Sequence, residues 1–355
     1  MWTVDLLFDV LTDRRASDLC FAPGAPPVVW VAGRMMPLDA PPLVPADIEA
    51  AFYPLLTASQ RERLDACGDV DFSVGRPGVG RMRLNLHRQQ GTLAAAIRFI
   101  PAAVPDFDGL KLPSRLRSFA DLPRGLVLVT GGAGAGKSTT LAAMIQYMNC
   151  THAYHIITLE DPIEFVFAHR RSVIEQREIG VDCPSFASAL RHVVRQRPDV
   201  ILVGEMRDLE TISAALTAAE TGHLVLASLH TASAVETVNR IVDVFPGSQQ
   251  SQVRVQLADT LQGVACQTLF HDESDGTLAP AVEILVATPA IRRAIRDNET
   301  HLLHGMIEMG RAQGMQTLDA AIANLVRRGA ITMDAALAKC HNREKLQQQP
   351  LATSH

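Results

Sequence analysis

Apolar positions change their period about a third of the way along this chain. Near the start, Leu6, Leu7, Val10 and Leu11 recur at helical spacing and predict a helix that ends near Asp13. Pro23, Gly24, Pro26 and Pro27 read as a turn, Val28 to Val31 as a short strand, and Gly33-Arg34 as the turn after it. A proline-rich loop over 37–45 leads into a helical stretch over 47–64. Asp71 to Val74, Arg81 to His87 and Ala94 to Ile100 then read as strands of a meander. Together these elements predict a small N-terminal α+β domain over 1–103, followed by a linker and lead-in helix over 104–118 marked by Pro101, Pro105, Gly109 and Pro113.

After Arg124 the pattern becomes a series of short, wholly apolar runs separated by helical segments: Leu126 to Val129, Ile156 to Leu159, Val200 to Val203 and Leu224 to Ala227. Strands with no polar alternation are buried on both faces, so the reading is an α/β domain with a mostly parallel sheet, placed at 119–343. From about residue 248 the chain reads as mainly helical, and 344–355 as a disordered tail.

Composition narrows the function without naming it. The 355 residues are 47% hydrophobic and 20% charged, ordinary for a globular protein, with a net charge of −5. No overall basic character is available to recruit nucleic acid or anionic lipid. The six cysteines are scattered, none at C-x-x-C spacing, and fit a reduced compartment. Asp5 and Asp9 stand where a signal peptide would be basic, and no run of about 18 apolar residues occurs. The expectation is a cytoplasmic protein whose membrane role, if any, comes through a partner.

The clearest chemistry is the run Gly131-Gly132-Ala133-Gly134-Ala135-Gly136-Lys137-Ser138, which fits G-x-x-x-x-G-K-[ST] between a predicted strand and a helix bearing Leu141, Met144, Ile145 and Met148. Glycines let backbone N–H groups turn inward around phosphate oxygens, and the helix N-terminus adds partial positive charge. Lys137 would reach the β- and γ-phosphates of ATP, and the Ser138 hydroxyl would ligate Mg²⁺. Such a site needs an acidic element. Two candidates end apolar strands, Glu160-Asp161 and Glu205, where α/β sheets place their ligands. Glu205 is the first choice to position or deprotonate water, and Glu160 the second. His230 falls on the same edge and could hydrogen-bond a γ-phosphate, whereas a lone histidine such as His223 is more often structural.

Four segments together carry a resemblance: Gly131 through Thr139 to Thr140, Ile157 to Glu164, Val203 to Asp208, and Thr221-Gly222-His223 through Leu229-His230-Thr231. In order they resemble the Walker A, Asp box, Walker B and His box of the secretion ATPases of type II secretion and type IV pili. The chain most resembles the pilus retraction ATPases, the PilT branch, from about Leu6 to Leu337. Its N-terminal region is short and begins with Ala16-Ser17-Asp18-Leu19, the paired-cysteine zinc motif of extension and secretion ATPases is absent, and Thr288 to Asp297 is similar to a C-terminal motif of retraction motors. Physics reads that last segment as a capped helix with Ile291, Ala294 and Ile295 on one stripe and Arg292, Arg293 and Arg296 facing elsewhere.

The resemblance implies a PAS-like first domain and a RecA-like P-loop ATPase domain. It implies a cytoplasmic homo-hexamer at the inner membrane that hydrolyses ATP to drive pilus retraction and twitching motility. It also implies a platform protein as partner, a sister pilus ATPase as a possible one, and no nucleic acid. The family's arginines carry over to Arg83 and Arg98 in the first domain, and to Arg191 and Arg195, whose spacing predicts one shared helix face. Arginine suits charge that spreads over a transferring phosphoryl group. The sequence also departs from the family. Gly132-Ala133-Gly134-Ala135 replaces Pro-Thr-Gly-Ser, Gln196-Arg197 replaces two acidic residues, and Cys20 replaces a histidine. An extension or secretion motor, or a weakly hydrolysing accessory subunit, remains open.

Overall fold

The computed structural model describes residues 2–31, 34–101, 104 and 106–347. The chain divides into two compact units, Met1–Ala103 with Glu164–Val166, and Val104–Ile163 with Phe167–His355.

The first unit is a six-stranded antiparallel sheet. Its strands are β1 (Asp18–Phe21), β2 (Val28–Val31), β3 (Arg34–Pro37), β4 (Asp69–Arg76), β5 (Gly80–Gln89) and β6 (Thr92–Pro101), in the order β3-β2-β1-β6-β5-β4. The helix Val4–Asp13 buries Leu7, Phe8 and Leu11 in a core with Leu19, Phe21, Ile48, Phe52 and Leu84. The helical stretch expected over 47–64 is two helices, Pro45–Phe52 and Ala58–Cys67, parted by a 3₁₀ turn at Tyr53–Leu55. Pro54 has no N–H to continue the first helix, and Thr57 with Gln60 caps the second in a reciprocal box. Two strands exceed the expectation. In β1 only Leu19 and Phe21 alternate inward, and β3 is exposed at all four positions, so neither leaves a strong period-2 signal. The predicted Gly33-Arg34 turn falls partly outside the described residues, and Arg34 itself opens β3.

The second unit is a seven-stranded sheet. Its strands are β7 (Gly125–Thr130), β8 (His155–Glu160), β9 (Val173–Glu178), β10 (Val200–Val203), β11 (Leu224–Leu229), β12 (Leu261–His271) and β13 (Leu278–Val286), in the order β13-β12-β7-β11-β10-β8-β9. All neighbours are parallel except β12 and β13. The four apolar runs form its middle, with every residue of β7, β10 and β11 buried. Parallel pairing needs crossovers, so helices such as Lys137–Thr151 and Leu209–Glu220 lie between the strands in sequence and bury Leu141, Met144, Ile212 and Leu216.

The helical reading from residue 248 holds from Pro289 onward. Before it, the helix Gly247–Thr260 gives way to β12 and β13, an antiparallel pair. Buried residues run unbroken from Gly263 to Gln267, which gives no period to separate strand from helix. The helix Arg343–Gln347 occupies the start of the expected disordered tail, whose residues 348–355 lie outside the described residues.

Within the helix Pro289–Arg296, Ile291, Ala294 and Ile295 are buried, and Thr288 accepts the Ile291 N–H as N-cap. Arg292 does not face solvent with the other arginines. It donates to the carbonyls of Ala258 (2.5 Å), Asp259 (2.9 Å) and Ala287 (3.0 Å) and to Gln262 Oε1 (3.1 Å). Its fork therefore closes the carbonyl end of the helix Gly247–Thr260. Arg296 reaches Asp259 at 2.8 Å, and Arg293 pairs with Asp297 at 3.2 Å. Among the described residues no helix is long and apolar enough to cross a membrane.

Candidate functional site

Because β7, β11, β10 and β8 are parallel and adjacent, their carboxyl ends share one edge of the sheet. Along that edge stand, in spatial order, the phosphate loop after β7, His230 after β11, Glu205 after β10, and Glu160 at the end of β8. This is where a parallel sheet with alternating crossovers opens for ligands.

The loop starts at Gly131, whose φ of +144° and close approach exclude a side chain: a Cβ there would collide with the Gln267 carbonyl of β12. Gly136, at φ +83°, turns the chain into the helix Lys137–Thr151. Gly132, Ala133 and Gly134 are exposed at the apex, whereas Ala135 is buried. Ser138 is exposed and Thr139 half-buried in the helix's first turn. The Lys137 ammonium is buried and donates to the carbonyls of Gly131 and Gly132, each at 2.9 Å. It also lies 3.3 Å from His230 Nδ1.

The next polar group follows directly. His230 Nε2 is 3.2 Å from Glu205 Oε1, and Arg207 Nη2 is 2.7 Å from Glu205 Oε2. Lysine can only donate, so His230 Nδ1 accepts and the ring proton sits on Nε2, facing the carboxylate. The backbone fixes this row. Ser228 Oγ donates to the Gly204 carbonyl at 2.5 Å, and Met206 N–H donates to the Ser228 carbonyl at 3.0 Å. Gly204 also packs closely on β8, where a Cβ would stand 3.1 Å from the Leu159 carbonyl and 3.4 Å from Glu160 Cα. An aspartate, usual here in other P-loop enzymes, would have to displace that strand end.

Burial raises the proton affinity of Glu205, but the Arg207 hydrogen bond and the positive charges of Arg207 and Lys137, with the His230 N–H facing the carboxylate, outweigh it and hold the carboxyl below its ordinary value. The ionised form therefore contributes stability above the ordinary glutamate range, and that contribution is lost as pH falls through the depressed value. Arg207→Ala removes the strongest lowering influence and leaves burial in place. The acid limb of kcat/KM for ATP should then move to higher pH in a pH-rate profile, with the neutral-pH rate less affected.

Glu160 is more enclosed, at 9% exposure, and accepts from Thr158 Oγ1 (2.7 Å) and Gln176 Nε2 (3.1 Å). Among the described residues no three His, Cys, Asp or Glu side chains form a metal cluster. Ser138 with phosphate oxygens fits the few protein ligands that Mg²⁺ takes in nucleotide sites.

His223 and Arg191 make their contacts outside this row. His223 precedes β11 at the opposite edge of the sheet, with Nδ1 3.0 Å from the Ala218 carbonyl. The helix expected to carry both Arg191 and Arg195 is Phe186–Val193, so Arg195 lies beyond its end and the two share no helix face. Pro198 disfavours helical backbone at Arg197, which sits at φ +57°. Arg191 is exposed and pairs with Glu210 at 3.0 Å. In the first unit Arg83 and Arg98 are cross-strand partners on β5 and β6, and Arg98 pairs with Asp18 at 2.9 Å. Like charges directly opposite are unfavourable in a sheet unless another group uses them.

Two residues of the site were not anticipated. Arg207 had a signal, two positions from Glu205. Gln267, 3% exposed, stands as a buried amide at the end of the apolar run Val264 to Cys266, a position that demands partners.

Comparison with known proteins agrees with this architecture. A family model described as "Type II/IV secretion system protein" matches residues 110–276. The "Type IV pilus retractation ATPase PilT" of Pseudomonas aeruginosa is 45% identical over 326 residues, covering 92% of this chain and 94% of that protein. A "Twitching motility protein" of Neisseria gonorrhoeae is 42% identical over 352 residues, 98% and 94% of the two chains. The crystal structure of the pilus retraction motor PilT with bound ADP superposes with a TM-score of 0.89 at 44% identity, covering 97% of this chain and 99% of that one.

Proposed function

We propose, for a chain that belongs to the pilus retraction ATPase family of type II/IV secretion system proteins, that it hydrolyses ATP to power type IV pilus retraction. The observation that carries this reading is the unbroken polar row Lys137–His230–Glu205 along the carboxyl edge of the sheet. Phosphate would take the place that the Gly131 and Gly132 carbonyls hold at the Lys137 ammonium, and the loop N–H groups would surround it. Glu205 orients the attacking water and accepts its proton as the new O–P bond forms. The bond to the β-phosphate oxygen breaks, leaving ADP and inorganic phosphate. His230 touches both the phosphate-binding lysine and the base, so loss of the γ-phosphate reaches Glu205 through one ring. Mg²⁺ held at Ser138 would supply charge neutralisation at the phosphates.

In this reading Arg83, Arg98, Arg191 and Arg195 act on a neighbouring subunit's nucleotide within a homo-hexamer. The ring sits on the cytoplasmic side of the inner membrane and drives a platform protein at the pilus base. The exposure of all four arginines supports that division.

A strain lacking this chain tests the direction of work. Surface pili should persist or accumulate while twitching stops. Bald cells would make it an extension motor. Normal twitching, together with ATP binding but no turnover by the assembled protein, would make it an accessory subunit.

A further inference from the structure

We infer that Gln267 is the positioning residue that shapes the phosphate loop, setting ATP affinity from a strand outside the nucleotide motifs. This rests on the reading of Gly131–Ser138 as the ATP site. Gln267 lies on β12, the parallel neighbour of β7, one residue beyond the Cys266↔Thr130 pair from which the loop departs. Its side chain ties the last part of the loop to the helix that follows. Nε2 donates to the Ala135 carbonyl, and Oε1 accepts from Thr140 Oγ1 at 2.9 Å. Its backbone carbonyl fills the space that a Gly131 side chain would need, and Nε2 sits where a Gly136 Cβ would come within 3.1 Å. The loop is thus moulded over this one residue.

The consequence for phosphate follows from peptide geometry. In a trans peptide the C=O and N–H point in opposite directions. Drawing the Ala135 carbonyl down onto Gln267 aims the Gly136 N–H the other way, into the concavity where phosphate oxygens sit. Holding Thr140 at the same time ties the first turn of the helix, with Lys137 and Ser138, to the same support. Gln267 reaches no other group of the polar row in the hydrogen bonds described, so its contribution falls on binding and not on the chemical step.

Gln267→Met keeps the length and fills the space but removes both hydrogen bonds. Two such bonds correspond to roughly 5- to 100-fold in affinity. In steady-state ATPase assays of the full-length assembled protein, KM for ATP should rise within that range while kcat stays within about threefold. Gln267→Glu keeps the acceptor for Thr140 but sets a carboxylate against the Ala135 carbonyl, and KM should rise further. Thr140→Val cuts one link from the loop side and gives a smaller rise, which serves where a Gln267 variant fails to fold. Unchanged KM in Gln267→Met, or a loss confined to kcat, overturns the assignment. Wild-type protein that fails to bind a fluorescent ATP analogue would instead overturn the reading of the loop itself.

Discussion

Glu205→Gln should reduce ATP turnover by about 100- to 10,000-fold, the range for loss of a positioned general base, while nucleotide affinity changes only a few-fold. The substitution is isosteric, but its single amide oxygen can accept from only one of the two donors that Glu205 now holds on separate oxygens, His230 Nε2 and Arg207 Nη2, and Arg207, exposed at the surface, can turn away from the amide –NH2. What it loses is the proton acceptor and the negative charge. The wild-type carboxyl suits that chemistry, because its side chain retains 19% exposure, enough to meet a water, and its neighbours keep it ionised. Glu160 provides the comparison. It is deeper, and its Oε1 is already shared by Thr158 and Gln176, so Glu160→Gln should disturb packing more and the proton transfer less. Phosphate release measured beside fluorescent-nucleotide titration separates the two. Full turnover in Glu205→Gln with collapse in Glu160→Gln would exchange their roles.

That these carboxylates could be found at all without coordinates follows from the parallel sheet. A strand buried on both faces has no polar alternation, so its end is visible as the point where a charge first appears. Leu159-Glu160, Val203-Gly204-Glu205 and Leu229-His230 each show that step. Parallel topology then puts every such step on one edge. The same logic fails where a strand is partly exposed or crosses chain direction. β9 has only Val173 and Ile174 as apolar residues ahead of Glu175, Gln176, Arg177 and Glu178, and the buried middle of β12 has no period by which helix and strand could be told apart. Gln267 was hidden for that reason: without the strand, its polar side chain has no direction. Arg195 shows the opposite error, where spacing alone implied a helix face that the backbone ends at Val193.

The Lys137 ammonium leads to the second large effect. Lys137→Met should weaken ATP binding by about 100- to 1,000-fold, since hydrogen bonds to a charged group are each worth about 1.5–3 kcal/mol and two phosphates lose their shared cation. A buried ammonium is tolerable only where acceptors replace its water, and Gly131, Gly132 and His230 do so here at 2.9, 2.9 and 3.3 Å. Those acceptors are uncharged and can be exchanged for phosphate oxygens, so the lysine is solvated without being locked away from its ligand. Arginine should not substitute, because a planar fork cannot direct a compact charge at both loop carbonyls within the same volume. The variant also separates the two layers of the loop. Gln267 shapes the N–H cradle, so its loss raises KM alone. Lys137 neutralises charge that grows on the phosphoryl group during transfer, so kcat should fall with it, by at least about tenfold at saturating ATP. Saturation kinetics on Lys137→Met and Gln267→Met side by side would show the split. A Lys137→Met protein with wild-type kcat would mean that the transferring phosphate is held elsewhere on the sheet edge.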